Sequence, residues 1–111
     1  MEITFGDKLL EKYSRDERKS MKEMGKIRGE LYLIRLNALY AATTLEDVRY
    51  LPGHFHELTG NRKGQWACNL DQPYRLVFRP QENPIPVDED GRYKWSDIHG
   101  VVIEEITNYH E

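Results

Sequence analysis

The stretch Tyr74-Arg75-Leu76-Val77-Phe78-Arg79 alternates two kinds of side chain with a period of two. Tyr74, Leu76 and Phe78 point one way along an extended chain, and Arg75, Val77 and Arg79 point the other. Working outward, Asp71-Gln72-Pro73 predicts a turn, because Asp bonds its own backbone and Pro fixes φ. Gln65–Leu70 before it reads as a strand, and so does His54–Leu58. Between those two lies the glycine-bounded loop Thr59-Gly60-Asn61-Arg62-Lys63-Gly64. Downstream, Pro80–Pro86 contains three prolines and reads as a loop. Asp88-Glu89-Asp90-Gly91 reads as an acidic hairpin-like tip beside the aromatic stretch Tyr93-Lys94-Trp95. Ile98–Ile106, rich in Val and Ile, is strongly β-forming.

The first half carries another period. Glu2–Phe5 alternates like a short strand, and Gly6 breaks it. Asp7 then caps a short helix with Leu9, Leu10 and Tyr13 apolar, since its side chain accepts the free amides of a first turn. From Asp16 to Ala42, Met24, Ile27, Leu31, Ile34 and Ala38 step by three and four, which predicts a long helix with that face inward. Gly25 and Gly29 weaken its first half, each by about 1 kcal/mol against Ala. Thr44-Leu45-Glu46-Asp47 resembles a capping box that starts a further short helix, which Pro52-Gly53 stops. A strand, then helices, then four strands predict an α+β fold. The N-terminal helices pack on one face of a small, mainly antiparallel β-sheet, in a single domain over residues 1–111.

The 111 residues suit one compact domain. Seven Tyr, three Phe and two Trp argue against disorder, because these side chains bury the most area. The single cysteine, Cys68, cannot form a disulfide within the chain and excludes a four-cysteine zinc site; its neighbours Trp66 and Ala67 predict a buried thiol. No apolar run approaches the roughly 20 residues of a membrane helix, and the first residues lack a secretion signal, so a cytoplasmic location without membrane partners is expected. The net charge of −3 hides an uneven distribution. Residues 1–48 are neutral, with nine basic and nine acidic. Residues 49–80 hold five basic and two acidic, net +3, and residues 81–111 two basic and eight acidic, net −6. A local basic patch on an acidic protein still binds phosphate, because salt confines each charge to about 10 Å.

Three groups of residues bear on chemistry. His56 stands at a predicted strand end, followed by Arg62 and Lys63 in a loop whose glycines permit close backbone approach. Read alone, the loop is first of all a surface hairpin loop with ordinary solvating charges. Arg75 and Arg79 share a strand face about 13 Å apart, and Arg suits bidentate phosphate contact. Tyr109 and His110 directly follow the most strongly β-forming segment. Together they supply what metal-independent RNA cleavage needs: groups to move protons from the 2′-OH and to the 5′-oxygen, and cations for the charge that builds on phosphate. No strand carries the paired carboxylates of a two-metal nuclease, and the four histidines lack metal-ligand spacing, although His54-x-His56 could face one way on a strand. Neither a metal nor a cofactor is expected.

The run Leu51-Pro52-Gly53-His54-Phe55-His56-Glu57-Leu58-Thr59-Gly60, followed by Arg62-Lys63-Gly64-Gln65-Trp66, Tyr74–Arg79 and Asn108-Tyr109-His110, resembles the HigB branch of the RelE toxin superfamily. The resemblance covers about residues 45–110; residues 1–44 match in arrangement. It implies a ribosome-dependent mRNA endoribonuclease of a type II toxin–antitoxin pair, held inactive by a helix-turn-helix antitoxin. By position it implies His56 at the active site, Arg75 at the scissile phosphate, and Tyr109 and His110 completing the site. Arg62, Lys63 and Arg79 become supporting cations. Thr59 departs from a lysine common in the family, and Asn108 from an aspartate. The 80–92 loop and tip are longer than the family's usual turn. Thr59 and Asn108 keep open a catalytically weak module of the same fold that acts in a toxin–antitoxin complex, and the 49–80 basic patch keeps open a plain RNA- or ribosome-binding domain.

Overall fold

The computed structural model describes residues 1–108. Strand β1 (Glu2–Phe5) leads into helix α1 (Lys8–Ser14), whose first turn is capped as the sequence predicts: Leu10 N donates to Asp7 Oδ1 at 2.9 Å. The expected long helix is instead two, α2 (Glu17–Met24) and α3 (Lys26–Ala41). Gly25 separates them at φ 90°, a left-handed value that glycine adopts without steric cost. The chain folds back there, and Gly29 of α3 lies directly against the α2 backbone. A Cβ at Gly29 would stand 2.8 Å from Met21 Cα. Ser20, fully buried, donates from Oγ to the Gly29 carbonyl.

This hairpin also resets the inward face of α3. The buried line is Gly29, Tyr32, Leu36 and Leu39, whereas Ile27 and Ile34 of the expected face are 66% and 53% exposed. The helical period was right; Met24, Leu31 and Ala38 of the expected face still pack against the core at its flank, but the centre of the buried face is rotated away from Ile27 and Ile34. Gly29 is the position whose missing side chain admits α2, so the line that continues from it enters the core. Tyr32 reaches across to donate to the Leu10 carbonyl at 2.6 Å, tying α3 to α1. Helix α4 (Leu45–Val48) starts at the predicted capping box, where Thr44 N and Oγ1 both donate to the Asp47 carboxylate.

Strands β2 (His56–Glu57), β3 (Trp66–Asn69), β4 (Arg75–Pro80) and β5 (Gly100–Thr107) complete a five-stranded sheet of order β1-β5-β4-β3-β2. Every neighbouring pair is antiparallel except β1 with β5. The predicted strand His54–Leu58 is cut to two residues, because Gly53 (φ 112°) and His54 (φ 53°) turn the chain sharply before it. On the helix-facing side, Trp66, Phe78 and Ile103 form one row across three strands, and Cys68, Leu76 and Ile106 the next. They join Tyr32, Leu36, Leu39 and Leu45 in the main core. Leu58, Ala67 and Val77 form a separate small cluster on the opposite side, and no helical residue joins it. The expected α+β arrangement, with helices on one face of a mainly antiparallel sheet, is therefore present. The other face is where the predicted site falls. No described helix is long and apolar enough to cross a membrane.

Candidate functional site on the open sheet face

Register places the candidate residues. His56, Ala67, Val77 and Glu105 lie opposite one another across β2, β3, β4 and β5, so they share the open face. Arg75 and Arg79 flank Val77 on that face, two residues to either side. From strand spacing and rise, the Cα atoms of His56 and Arg75 are about 12 Å apart, a gap that two side chains and a phosphate can fill. Arg62 sits in the short 3-10 turn Gly60–Arg62 and Lys63 directly after it, at the edge of the same face. Tyr109 and His110 lie outside the described residues. The last residue of β5, Thr107, pairs with Arg75.

His56 is held in one tautomer. Its Nδ1 lies 2.8 Å from the His54 carbonyl oxygen, which can only accept, so Nδ1 carries the proton. A neutral imidazole bound this way presents its lone pair on Nε2, the arrangement of a proton acceptor. The His54 and His56 rings stack at 4.2 Å.

The cations differ in what surrounds them. Arg62 donates to Gln65 Oε1 at 3.2 Å and pairs with Glu105 at 3.0 Å. Gln65 Nε2 donates to Glu104 Oε1, and Arg79 lies 3.6 Å from the other Glu104 oxygen. Two supporting cations are thus neutralised within one network. Arg75 donates to the Pro73 carbonyl at 2.9 Å and has no carboxylate partner among the described residues. Lys63 also lacks one among the described residues; its ammonium lies 5.5 Å from the centre of the Tyr93 ring.

The expectation that no strand carries paired carboxylates is corrected here: β5 carries Glu104 and Glu105, both engaged by arginines of this face. Neighbours in a regular strand point to opposite faces, so alternation would put only one of them here. Val77 pairs with Glu105 and the next residue, Phe78, with Ile103, which leaves Glu104 as the extra residue of a β-bulge. The bulge lets two consecutive carboxylates reach one face. No periodic signal in the sequence announces it.

Cys68 is fully buried, as expected, and burial pushes its thiol far up. On the helix side, Arg28 makes a two-pronged ion pair with Asp71, from Nε at 2.9 Å and Nη2 at 3.1 Å, while stacked on Tyr74. The Arg28 hydrogen bonds hold the Asp71 carboxyl below its ordinary range.

An α+β sheet with one helix-free, arginine-bearing face is the architecture expected of the toxins named above, and comparison with known proteins agrees. The description "RelE-like toxin of type II toxin-antitoxin system HigB" fits residues 3–89, and the chain belongs to this HigB-like toxin family. It is also similar to Toxin HigB-1 of Vibrio cholerae serotype O1, at 34% identity over 80 residues, which cover 71% of this chain and 83% of the relative. The family match reaches through β1 and all four helices, further toward the N-terminus than the motifs that first suggested it, and stops before β5. An antitoxin partner follows from membership in a type II system.

Proposed function

We propose that the chain is a ribosome-dependent mRNA endoribonuclease that works on the open sheet face without a metal. The observation that carries this reading is the pairing of a tautomer-fixed His56 with an Arg75 that no described carboxylate neutralises. In the proposed reaction the 2′-oxygen attacks the adjacent phosphorus while its proton passes to a base. The bond to the 5′-oxygen breaks, and that oxygen receives a proton. A 2′,3′-cyclic phosphate and a free 5′-hydroxyl result. His56 is suited to one proton transfer through Nε2, and Arg75 to the charge on the non-bridging oxygens. Tyr109 and His110 are assigned to the second transfer, since the chain leaves the sheet beside Arg75. Lys63, Arg62 and Arg79 steer the flanking phosphates, the last two once they exchange glutamate for phosphate. The partner is a helix-turn-helix antitoxin and the setting the cytoplasm.

The test is to incubate the purified chain with ribosomes and a defined mRNA and to map the new 5′ ends. Arg75→Ala should slow cleavage by about 10²–10³, the cost of losing one electrostatic stabiliser. Absence of cuts by the native chain, or equal cutting by the variant, overturns the reading. The ion pairs of Glu104 and Glu105 favour one second reading: a module of the same fold that binds but cleaves poorly, because its cations are neutralised.

A further inference from the structure

The segment between β4 and β5 builds a feature that the phosphate face does not use. Its hairpin is bridged at Val87 and Tyr93, and together with the 59–64 loop it encloses a cleft of about 480 Å³. That is within the range of small-molecule sites. Tyr93 meets Trp95 edge-to-face at 5.0 Å, and Trp95 meets Trp66 likewise at 5.5 Å, so the aromatic wall is anchored in the core. The Trp95 indole N–H donates to the Glu57 carboxylate, which lines the cleft.

Three cations also line it. Arg49 is committed, paired with Glu46 and stacked 4.8 Å from the Trp66 ring. Lys63 and Arg92 have no carboxylate within ion-pair distance among the described residues. Glu57 retains acceptor capacity after receiving the indole proton, since a carboxylate has about four lone-pair sites. A simple anion would leave the aromatic wall unused. A wholly apolar ligand would desolvate Lys63 and Arg92, which have no carboxylate partner among the described residues, at a cost. A ring that carries both hydrogen-bond donors and a phosphate uses all three kinds of wall. Lys63 and Gly64 also line a shallower hollow with Arg79 and Glu104, so the cleft opens toward the proposed phosphate face.

We propose that this cleft is a base-recognition subsite for single-stranded RNA, which rests on the RNA-cleaving reading above. A base leaves the strand and packs against half-buried Tyr93, which Trp95 backs from the core, Lys63 and Arg92 meet its phosphate, and Glu57 accepts from the base's Watson–Crick edge. Bases splayed out of single strands are read at that edge. Guanine is the base that fits, because it offers two adjacent donors there, whereas uracil sets its one donor between two acceptors that a carboxylate repels.

The experiment titrates the whole chain, without ribosomes, with guanosine 5′-monophosphate, uridine 5′-monophosphate and inorganic phosphate. It follows the Trp95 indole N–H by NMR. Guanosine monophosphate should bind about tenfold or more tightly than uridine monophosphate. Glu57→Gln keeps an acceptor for Trp95 and should abolish that preference, while Lys63→Ala should weaken both nucleotides alike. Equal binding of the two nucleotides, nucleotides no tighter than inorganic phosphate, or an unmoved Trp95 signal overturns the proposal. A chain that prefers guanosine monophosphate yet never cuts mRNA keeps the subsite and sinks the nuclease reading. A chain that cuts mRNA but shows no base preference does the reverse.

Discussion

Replacing Glu104 by Gln should tighten RNA binding, and the size of the change can be worked out. Glu104 accepts from Gln65 through one oxygen and faces Arg79 at 3.6 Å through the other. The amide of Gln keeps an acceptor for Gln65, so the network's shape survives. The lost ion pair is partly exposed, with 43% of the Arg79 side chain and 30% of the Glu104 side chain accessible, so folding stability should change by no more than about 0.5 kcal/mol. For RNA the consequence is larger, because Arg79 becomes an uncompensated cation on the same face as Arg75. Each phosphate neutralised on a single strand steepens log K against log salt by about 0.7. One released arginine should therefore add about 0.7 to the slope, so over a fourfold rise in salt the variant loses about 2.6 times more affinity than the native chain. Fluorescence anisotropy with a labelled single-stranded oligoribonucleotide, at several salt concentrations, reads both slope and affinity. A variant with the native slope would refute the argument that Glu104 holds Arg79 away from phosphate. A steeper slope together with faster mRNA cleavage would favour the catalytic reading. A steeper slope with no cleavage would favour the binding module.

Gly29→Ala should destabilise the fold by about 1–3 kcal/mol in chemical denaturation, although Ala is the better helix former, because its Cβ meets Met21 backbone atoms at 2.8 Å; a stabilised variant would mean that the α2–α3 hairpin packs otherwise. Asp71 has its carboxyl lowered by Arg28, so the pair's contribution is complete above the ordinary carboxylate pKa of about 3.9 and is lost as pH falls through the lower folded value. Asp71→Asn should flatten the acid limb of stability against pH in that window, and an unchanged limb would remove this pair from the account. Cys68, wholly buried with its thiol pushed up, should resist thiol reagents at pH 8 in the native protein and react at once after unfolding; rapid native reaction would place β3 elsewhere.

Much of this molecule is legible in short stretches of its sequence. Tyr74–Arg79 alternates because a strand alternates, and the two arginines it puts on one face are found there. Helices begin at Asp7, whose side chain accepts the Leu10 amide, and at Thr44, whose own amide is accepted by the Asp47 carboxylate, interactions that need no tertiary context. The burial of Cys68 was foreseeable from its apolar neighbours. The HigB-like motifs identified the family before any contact was known, and the whole N-terminal half proved to belong to it.

What the sequence left open depends on contacts between distant segments. The phase of α3 is set by the fold-back at Gly25 and the close approach at Gly29, so Ile27 and Ile34 face outward despite their spacing. The charge of the open face depends on a bulge opposite Val77 and Phe78, which brings Glu104 to Arg79, 25 positions earlier, and Glu105 to Arg62, 43 positions earlier. The aromatic cleft likewise exists only because the 80–97 segment returns to the loop after β2. Period, capping and turn chemistry are properties of neighbours along the chain, and the sequence alone determined them. Phase, register and charge compensation are properties of neighbours in space, and only the folded sheet decided those.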